Sequence, residues 1–267
     1  MTFESQLKQI VNSSYTLDNI KLSSAPRCSM LCKFCPVAFV IGQIQGDSVG
    51  ESFTKDFYCS IGTVVHSTIQ RWLGISGFLY GNWVCSKCGC FIDEGFGPIK
   101  HCGEYGLYEE YQLNWDILSG HCDGIIEQDN EFYVLELKTI SLSGLNTRVK
   151  ENKPYEYHEA QANFYTFMAQ KLKLKYPIVG HAIIYITRDN PNIIKVFRKK
   201  GVDFKKVKET VKLFKDTQQM LITGDFNNIQ KYCSENELDI SCPYRSICSR
   251  KDIQKVLEEM FVTCRIN

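Results

Sequence analysis

The 267-residue chain has no apolar run that reads as a transmembrane segment, for which about 20 consecutive residues are needed. Its start, Met1-Thr2-Phe3-Glu4-Ser5-Gln6, lacks the basic-then-apolar layout of a secretory signal. From these two absences we expect an intracellular protein with no membrane partner. Net charge is also nearly missing: 31 Lys and Arg balance 30 Asp and Glu, leaving +1. That balance excludes a globally basic nucleic-acid binder, so any such surface has to be a local patch. No Gly-x-x-x-x-Gly-Lys-Ser/Thr pattern occurs, so the chain carries no P-loop of its own.

Cysteine, by contrast, is abundant at 13 residues. In a reducing compartment such a number favours metal ligation over a disulfide framework. The cysteines gather near positions 28–35, 85–102 and 233–248. Cys59, Cys122 and Cys264 stand alone and read as small buried apolar residues. In the middle group, Cys85-Ser86-Lys87-Cys88-Gly89 is a Cys-x-x-Cys knuckle followed by glycine, the form in which a tight turn aims two thiolates at one ion. Cys102 joins them, and the fourth zinc ligand is either Cys90 or His101. Cys28, Cys32 and Cys35 precede Pro36, and Cys233, Cys242 and Cys248 stand some two hundred positions later. Only the fold can bring the two outer groups together, as ligands of an iron–sulfur cluster or of zinc.

Two apolar runs, residues 120–126 and 132–139, flank the polar residues 127–131 and predict a hairpin. On the second run, alternation sets Val134, Glu136 and Lys138 on one face and Leu135 and Leu137 on the other. Asp123, on the first run, can converge on the same end. Carboxylates in such a setting are costly unless they pair or bind a metal. The spacing further predicts a helix over 61–74 with Val65, Ile69, Trp72 and Leu73 as its apolar positions and His66 near that face. A mobile polar loop is expected over 144–156, a helix over 157–169 with Gln161 and Tyr165 sharing a face, and strands over 178–187 and 192–198. A lysine-rich helix is expected over 203–222.

Taken in order, Gly62-Thr63-x-x-His66, Gly120-His121-Cys122-Asp123-Gly124, Glu136-Leu137-Lys138 and Gln161-x-x-x-Tyr165 resemble the PD-(D/E)XK nuclease superfamily. Cys35-Pro36 and the Cys242 to Cys248 segment narrow the resemblance to the RecB-like exonuclease branch, which includes CRISPR-associated iron–sulfur nucleases and viral recombination nucleases. The resemblance implies an α/β restriction-endonuclease-like core, a mixed central sheet flanked by helices. It would occupy residues 23–250, with residues 83–103 as a zinc-ribbon-like insertion, 1–22 as a helix or connector, and 251–267 as a C-terminal helix or tail.

It further implies that His66, Asp123, Glu136 and the Leu137 carbonyl hold a catalytic Mg²⁺ or Mn²⁺ ion, that Lys138 orients the attacking water, and that Gln161 and Tyr165 position the nucleic-acid backbone. Glu110, or its neighbour Glu109, would match an upstream acidic residue of some members. Cys35, Cys233, Cys242 and Cys248 would hold a [4Fe–4S] cluster, with zinc as the alternative occupant and Cys28 or Cys32 as a substitute ligand. The chain departs from the iron–sulfur pattern in having Asp239, not cysteine, three positions before Cys242.

The implied activity is a metal-dependent DNA exonuclease acting on single strands or duplex ends in recombination, repair or replication, with a helicase or recombination protein as an expected partner and a viral origin as part of the expectation. Two other readings stay open: a non-catalytic nucleic-acid-binding or adaptor subunit with the same fold, and a site- or structure-specific endonuclease of the same superfamily.

Overall fold

The computed structural model describes residues 26–45, 53–227, 229–232, 244–248 and 252–266. They divide into two units, one drawn from residues 26–32 and 57–207 and the other from residues 33–56 and those from 208 on. Among the described residues, three helices come first: α1 (Cys28–Leu31), α2 (Pro36–Gln45) and α3 (Phe53–Ile75). Nine strands follow: β1 (Tyr80–Val84), β2 (Phe91–Phe96), β3 (Lys100–His101), β4 (Glu104–Tyr105), β5 (Leu107–Glu109), β6 (Tyr111–Trp115), β7 (Leu118–Cys122), β8 (Gly124–Gln128) and β9 (Glu131–Ile140). Helices α4 (Leu142–Glu151) and α5 (Glu156–Leu172) lead to β10 (Ile178–Thr187) and β11 (Ile194–Lys200). The chain ends with α6 (Phe204–Thr223), a 3₁₀ turn (Ile229–Tyr232), α7 (Arg245–Cys248) and α8 (Ile253–Ile266).

In the larger unit the sheet order is β11-β10-β9-β8-β1-β2, with β5 also pairing β1. Strands β9 and β10 run parallel and the other pairs run antiparallel, so the sheet is mixed. A parallel pair needs a long crossover, which α4 and α5 supply. The predicted hairpin forms as β8–β9, turned by Asp129 and Asn130 at φ 55° and 61°. Strand β9 is central, and both its faces are covered. Leu135 and Leu137 pack with Ile69 and Leu73 of α3. The parallel register pairs Val134 with His181, Glu136 with Ile183 and Lys138 with Tyr185. Ile183 and Tyr185 pack on Ala162 of α5, so the polar residues of β9 share the α5 side. The result is a mixed sheet flanked by helices.

Residues 142–151 are helical where the sequence predicts a mobile loop. Ser141 caps the helix through Gly144 N at 3.2 Å, Leu145 is buried, and Asn152 closes the end in the left-handed conformation. Cap, anchor and stop outweigh the polar composition. Cys59 also departs from expectation, since it is exposed, whereas Cys122 is fully buried.

The smaller unit has its own apolar centre. Val37, Val40 and Ile41 of α2 pack with Ile253 and Leu257 of α8, and with Phe226, Ile229 and Cys248.

Candidate functional site

Asp123 sits where the chain passes from β7 to β8, and therefore where it leaves one strand partner for another. The glycines on either side have steric reasons. A Cβ on Gly120 would lie 2.6 Å from the Tyr165 ring, and one on Gly124 would lie 2.3 Å from Leu79. The β8–β9 register pairs Gly124 with Leu135, which brings Asp123 alongside Glu136.

Four groups hold Asp123. Its Oδ2 accepts the Leu137 N–H at 2.5 Å, and its Oδ1 lies 3.4 Å from His66 Nδ1. Its backbone carbonyl accepts from Gln70 Nε2 at 3.1 Å and from the Tyr108 hydroxyl at 2.9 Å. The same Gln70 amide donates to Glu110 Oε1 at 3.1 Å, which brings Glu110 rather than Glu109 into the group. Glu136 is 2% exposed, and its Oε1 lies 2.5 Å from Lys138 Nζ. Burial pushes the Glu136 carboxyl above the usual carboxylate range, against the pull of Lys138. Burial alone would lower Lys138, but the Glu136 carboxylate holds its ammonium above the usual lysine range.

On α5, Gln161 Nε2 donates to the Tyr165 hydroxyl at 3.2 Å. Burial, then the charge of Glu136, raises the Tyr165 phenol, so it stays protonated. The structure thus brings His66, Leu137 and, through Gln70, Glu110 around Asp123, with Glu136 and Lys138 beside them. Sequence reasoning missed Gln70 and Tyr108. Gln70 lies four residues after His66, so the two share one helix face, and that spacing was the available signal.

A second polar group lies on the β1–β2 and β3–β4 hairpins. One ligand atom from each of Cys85, Cys88, His101 and Cys102 lies within 4.8 Å of the others, an arrangement able to hold a metal ion. The knuckle donates Lys87 N and Cys88 N to Cys85 Sγ at 3.4 and 3.5 Å. His101, and then these N–H groups, lower the Cys85 thiol to about 6, close to the thiolate form that binds metals. Cys102 and Gly103 turn the second hairpin at φ 53° and 82°. His101 therefore completes the group of four. Cys90 touches it, at 3.1 Å from Cys88 Sγ and 3.9 Å from His101 Nδ1.

The outer cysteines separate differently. Cys28 is fully buried, with its Sγ 4.0 Å from Met168 Sδ, and Cys32 Sγ contacts the Ser29 carbonyl at 2.8 Å. Burial raises the Cys28 thiol far above its usual range. Cys35 packs against the apolar cluster that contains Cys248. Cys233 and Cys242 lie outside the described residues. Among the described residues, no helix is long and apolar enough to cross a membrane.

No family model matches the chain, and no curated protein matches it. Among solved structures the chain is similar to one described as "Crystal structure of SSO0001", at 16% sequence identity and a TM-score of 0.46, over 92% of this chain and 98% of that one.

Proposed function

We propose that this protein is a metal-dependent deoxyribonuclease that hydrolyses phosphodiester bonds of single-stranded DNA or duplex ends, working as an exonuclease. The observation that carries the reading is the meeting of five residues from α3, β9 and the β7–β8 junction: His66 and the Leu137 N–H both fix Asp123, while Glu136, beside it across the strand pair, holds Lys138.

The donor set fits a hard divalent cation. Two carboxylates, an imidazole and a backbone carbonyl suit Mg²⁺ or Mn²⁺. The buried Glu136, with its raised carboxyl, is a group whose charged form a cation would favour. His66, Asp123, Glu136 and the Leu137 carbonyl would hold it. When bound, such an ion polarises a phosphoryl oxygen and lowers the pKa of water. Lys138 keeps Glu136 oriented and presents a cation to the oxygens of the reacting phosphate. Tyr165, whose oxygen already accepts from Gln161, retains a hydrogen to donate to the backbone of the strand.

The cysteine–histidine group fits zinc in the same proposal. Tetrahedral zinc with Zn–S of about 2.3 Å has S···S edges of about 3.8 Å. Cys88 and Cys102 stand 3.9 Å apart. An iron–sulfur or zinc site on Cys35, Cys233, Cys242 and Cys248 belongs to the proposal too. Its support is that Cys35 and Cys248 share one apolar cluster.

The test is degradation of end-labelled single-stranded DNA with Mg²⁺ or Mn²⁺ by anaerobically purified protein, with iron and zinc counted. Metal-dependent cleavage lost in both Glu136→Ala and Lys138→Ala is the expected result. A folded, metal-replete wild type that cuts no DNA overturns the proposal.

A further inference from the structure

Between α3 and the hairpin that carries His101 and Cys102 lies a cleft of about 570 Å³. That volume is within the roughly 300–1,000 Å³ typical of ligand sites. It is lined by Gln70 and Arg71 of α3, by Trp83 of β1, and by Ser86, Tyr105 and Leu107. We infer that this cleft seats an unpaired nucleobase of the bound strand, next to the carboxylates. The inference rests on the nuclease reading above and adds the residues that take the base.

Three observations carry it. The first is continuity, because Gln70 and Tyr108, both of the cleft lining, are the residues that hold the Asp123 carbonyl. Whatever occupies the cleft therefore abuts the proposed catalytic group. The second is the wall. Tyr105 is 47% exposed and Leu107 53% exposed, and Lys100 Nζ lies 4.7 Å from the Tyr105 ring centroid. An exposed aromatic ring beside a cation is the platform on which single-stranded binders stack bases.

The third is polarity. The Ser67 and Ser86 hydroxyl oxygens, as acceptors, and the Arg71 guanidinium, as donor, can meet the edges of a base. Glu104, also in the lining, repels a phosphate, so the cleft suits the base rather than the backbone. Tyr105 follows His101 and Cys102 on the same small hairpin, so the cysteine–histidine group anchors the wall on which the base rests.

The experiment measures fluorescence anisotropy of labelled oligothymidylate with full-length Glu136→Ala protein, which leaves the strand uncut. Adding Tyr105→Ala is expected to weaken binding about tenfold, the scale of losing one stacked base, while Tyr105→Phe keeps affinity within about twofold. Leu107→Ser provides a second variant at an exposed site and should weaken binding in the same direction. A strand carrying abasic sugars should bind the parent protein about tenfold more weakly and show no further loss with Tyr105→Ala. Metal content of each variant, counted in parallel, shows that the hairpin still stands. Unchanged affinity in Tyr105→Ala, or equal affinity for abasic and normal strands, overturns this inference while metal-dependent cleavage by wild type leaves the nuclease reading standing. Absence of any strand binding by the parent overturns both.

Discussion

Asp123 is fastened to the strand that carries Glu136 and Lys138: its Oδ2 accepts the N–H of Leu137, which lies between them, at 2.5 Å. Leu137 is fully buried, so this N–H has no water to turn to. Asp123→Ala leaves it unpaired and should cost about 1–3 kcal/mol of stability. Asp123→Asn keeps an oxygen acceptor and should cost less. Urea unfolding of the two variants beside wild type checks the order. Under the proposed function both should lose cleavage, because neither supplies a second carboxylate to the proposed cation. Equal stability of Asp123→Ala and wild type would remove the strand lock from the account.

The proposed cation site links Glu136 to stability. Ligand that binds only the folded state stabilises it by about 2.7 kcal/mol at 100 times its dissociation constant. With zinc content held fixed, Mn²⁺ or Mg²⁺ should therefore raise the Tm of wild type. Glu136→Gln preserves an acceptor for Lys138 but not the carboxylate, so the same addition should leave its Tm nearly unchanged. A full metal-dependent rise in Glu136→Gln would place the ion elsewhere.

The strands that frame this site are legible in the sequence because their patterns are strong. The expected strand at 178–187 matches β10 at both ends, as a long apolar run in a buried central position should. Asp123, Glu136 and Lys138 stand out for the opposite reason, as charges within apolar strands. Gln70 does not stand out. The helical pattern counts Trp72 as inward, yet Trp72 is 61% exposed while Gln70 is 5% exposed. Two hydrogen-bonded acceptors make an amide acceptable in the interior, and no hydropathy pattern records that exchange. The choice between His101 and Cys90 is equally hidden. It depends on the turn at Cys102 and Gly103, whose left-handed φ angles swing His101 toward Cys88.

That choice gives a direct measurement. Counting zinc bound per chain should show its loss in Cys88→Ser and in His101→Ala, because each removes a member of the group of four. Cys90→Ser should keep the ion. Chelation of wild type should lower stability, since a structural site contributes its binding energy to the fold. Zinc lost from Cys90→Ser and kept in His101→Ala would reverse the two roles.

Acid should weaken the fold through His181. The residue is 1% exposed on β10; its Nδ1 lies 3.4 Å from Thr166 Oγ1, whose hydroxyl already donates to the Ala162 carbonyl at 2.8 Å. That network assigns the proton to Nδ1. Among the described residues, Nε2 has no hydrogen-bond partner, so a second proton would add an unpaired buried charge. Burial lowers the His181 pKa to about 4, with Glu159 opposing the shift and Lys199 reinforcing it. The unfolded chain titrates near the ordinary value of about 6.5. Between these values the unfolded state holds the extra proton and the folded state does not. The stability is thus complete above about pH 6.5 and falls as the pH drops toward 4. The expected loss is about 3 kcal/mol over that window. Carboxylates titrate in the same range, so the comparison has to be made against His181→Leu, which lacks this proton site. Urea unfolding at pH 7 and pH 4 should show wild type losing about 3 kcal/mol more than the variant. Parallel pH curves for the two proteins would mean that His181 takes up its proton in the folded state with an ordinary affinity.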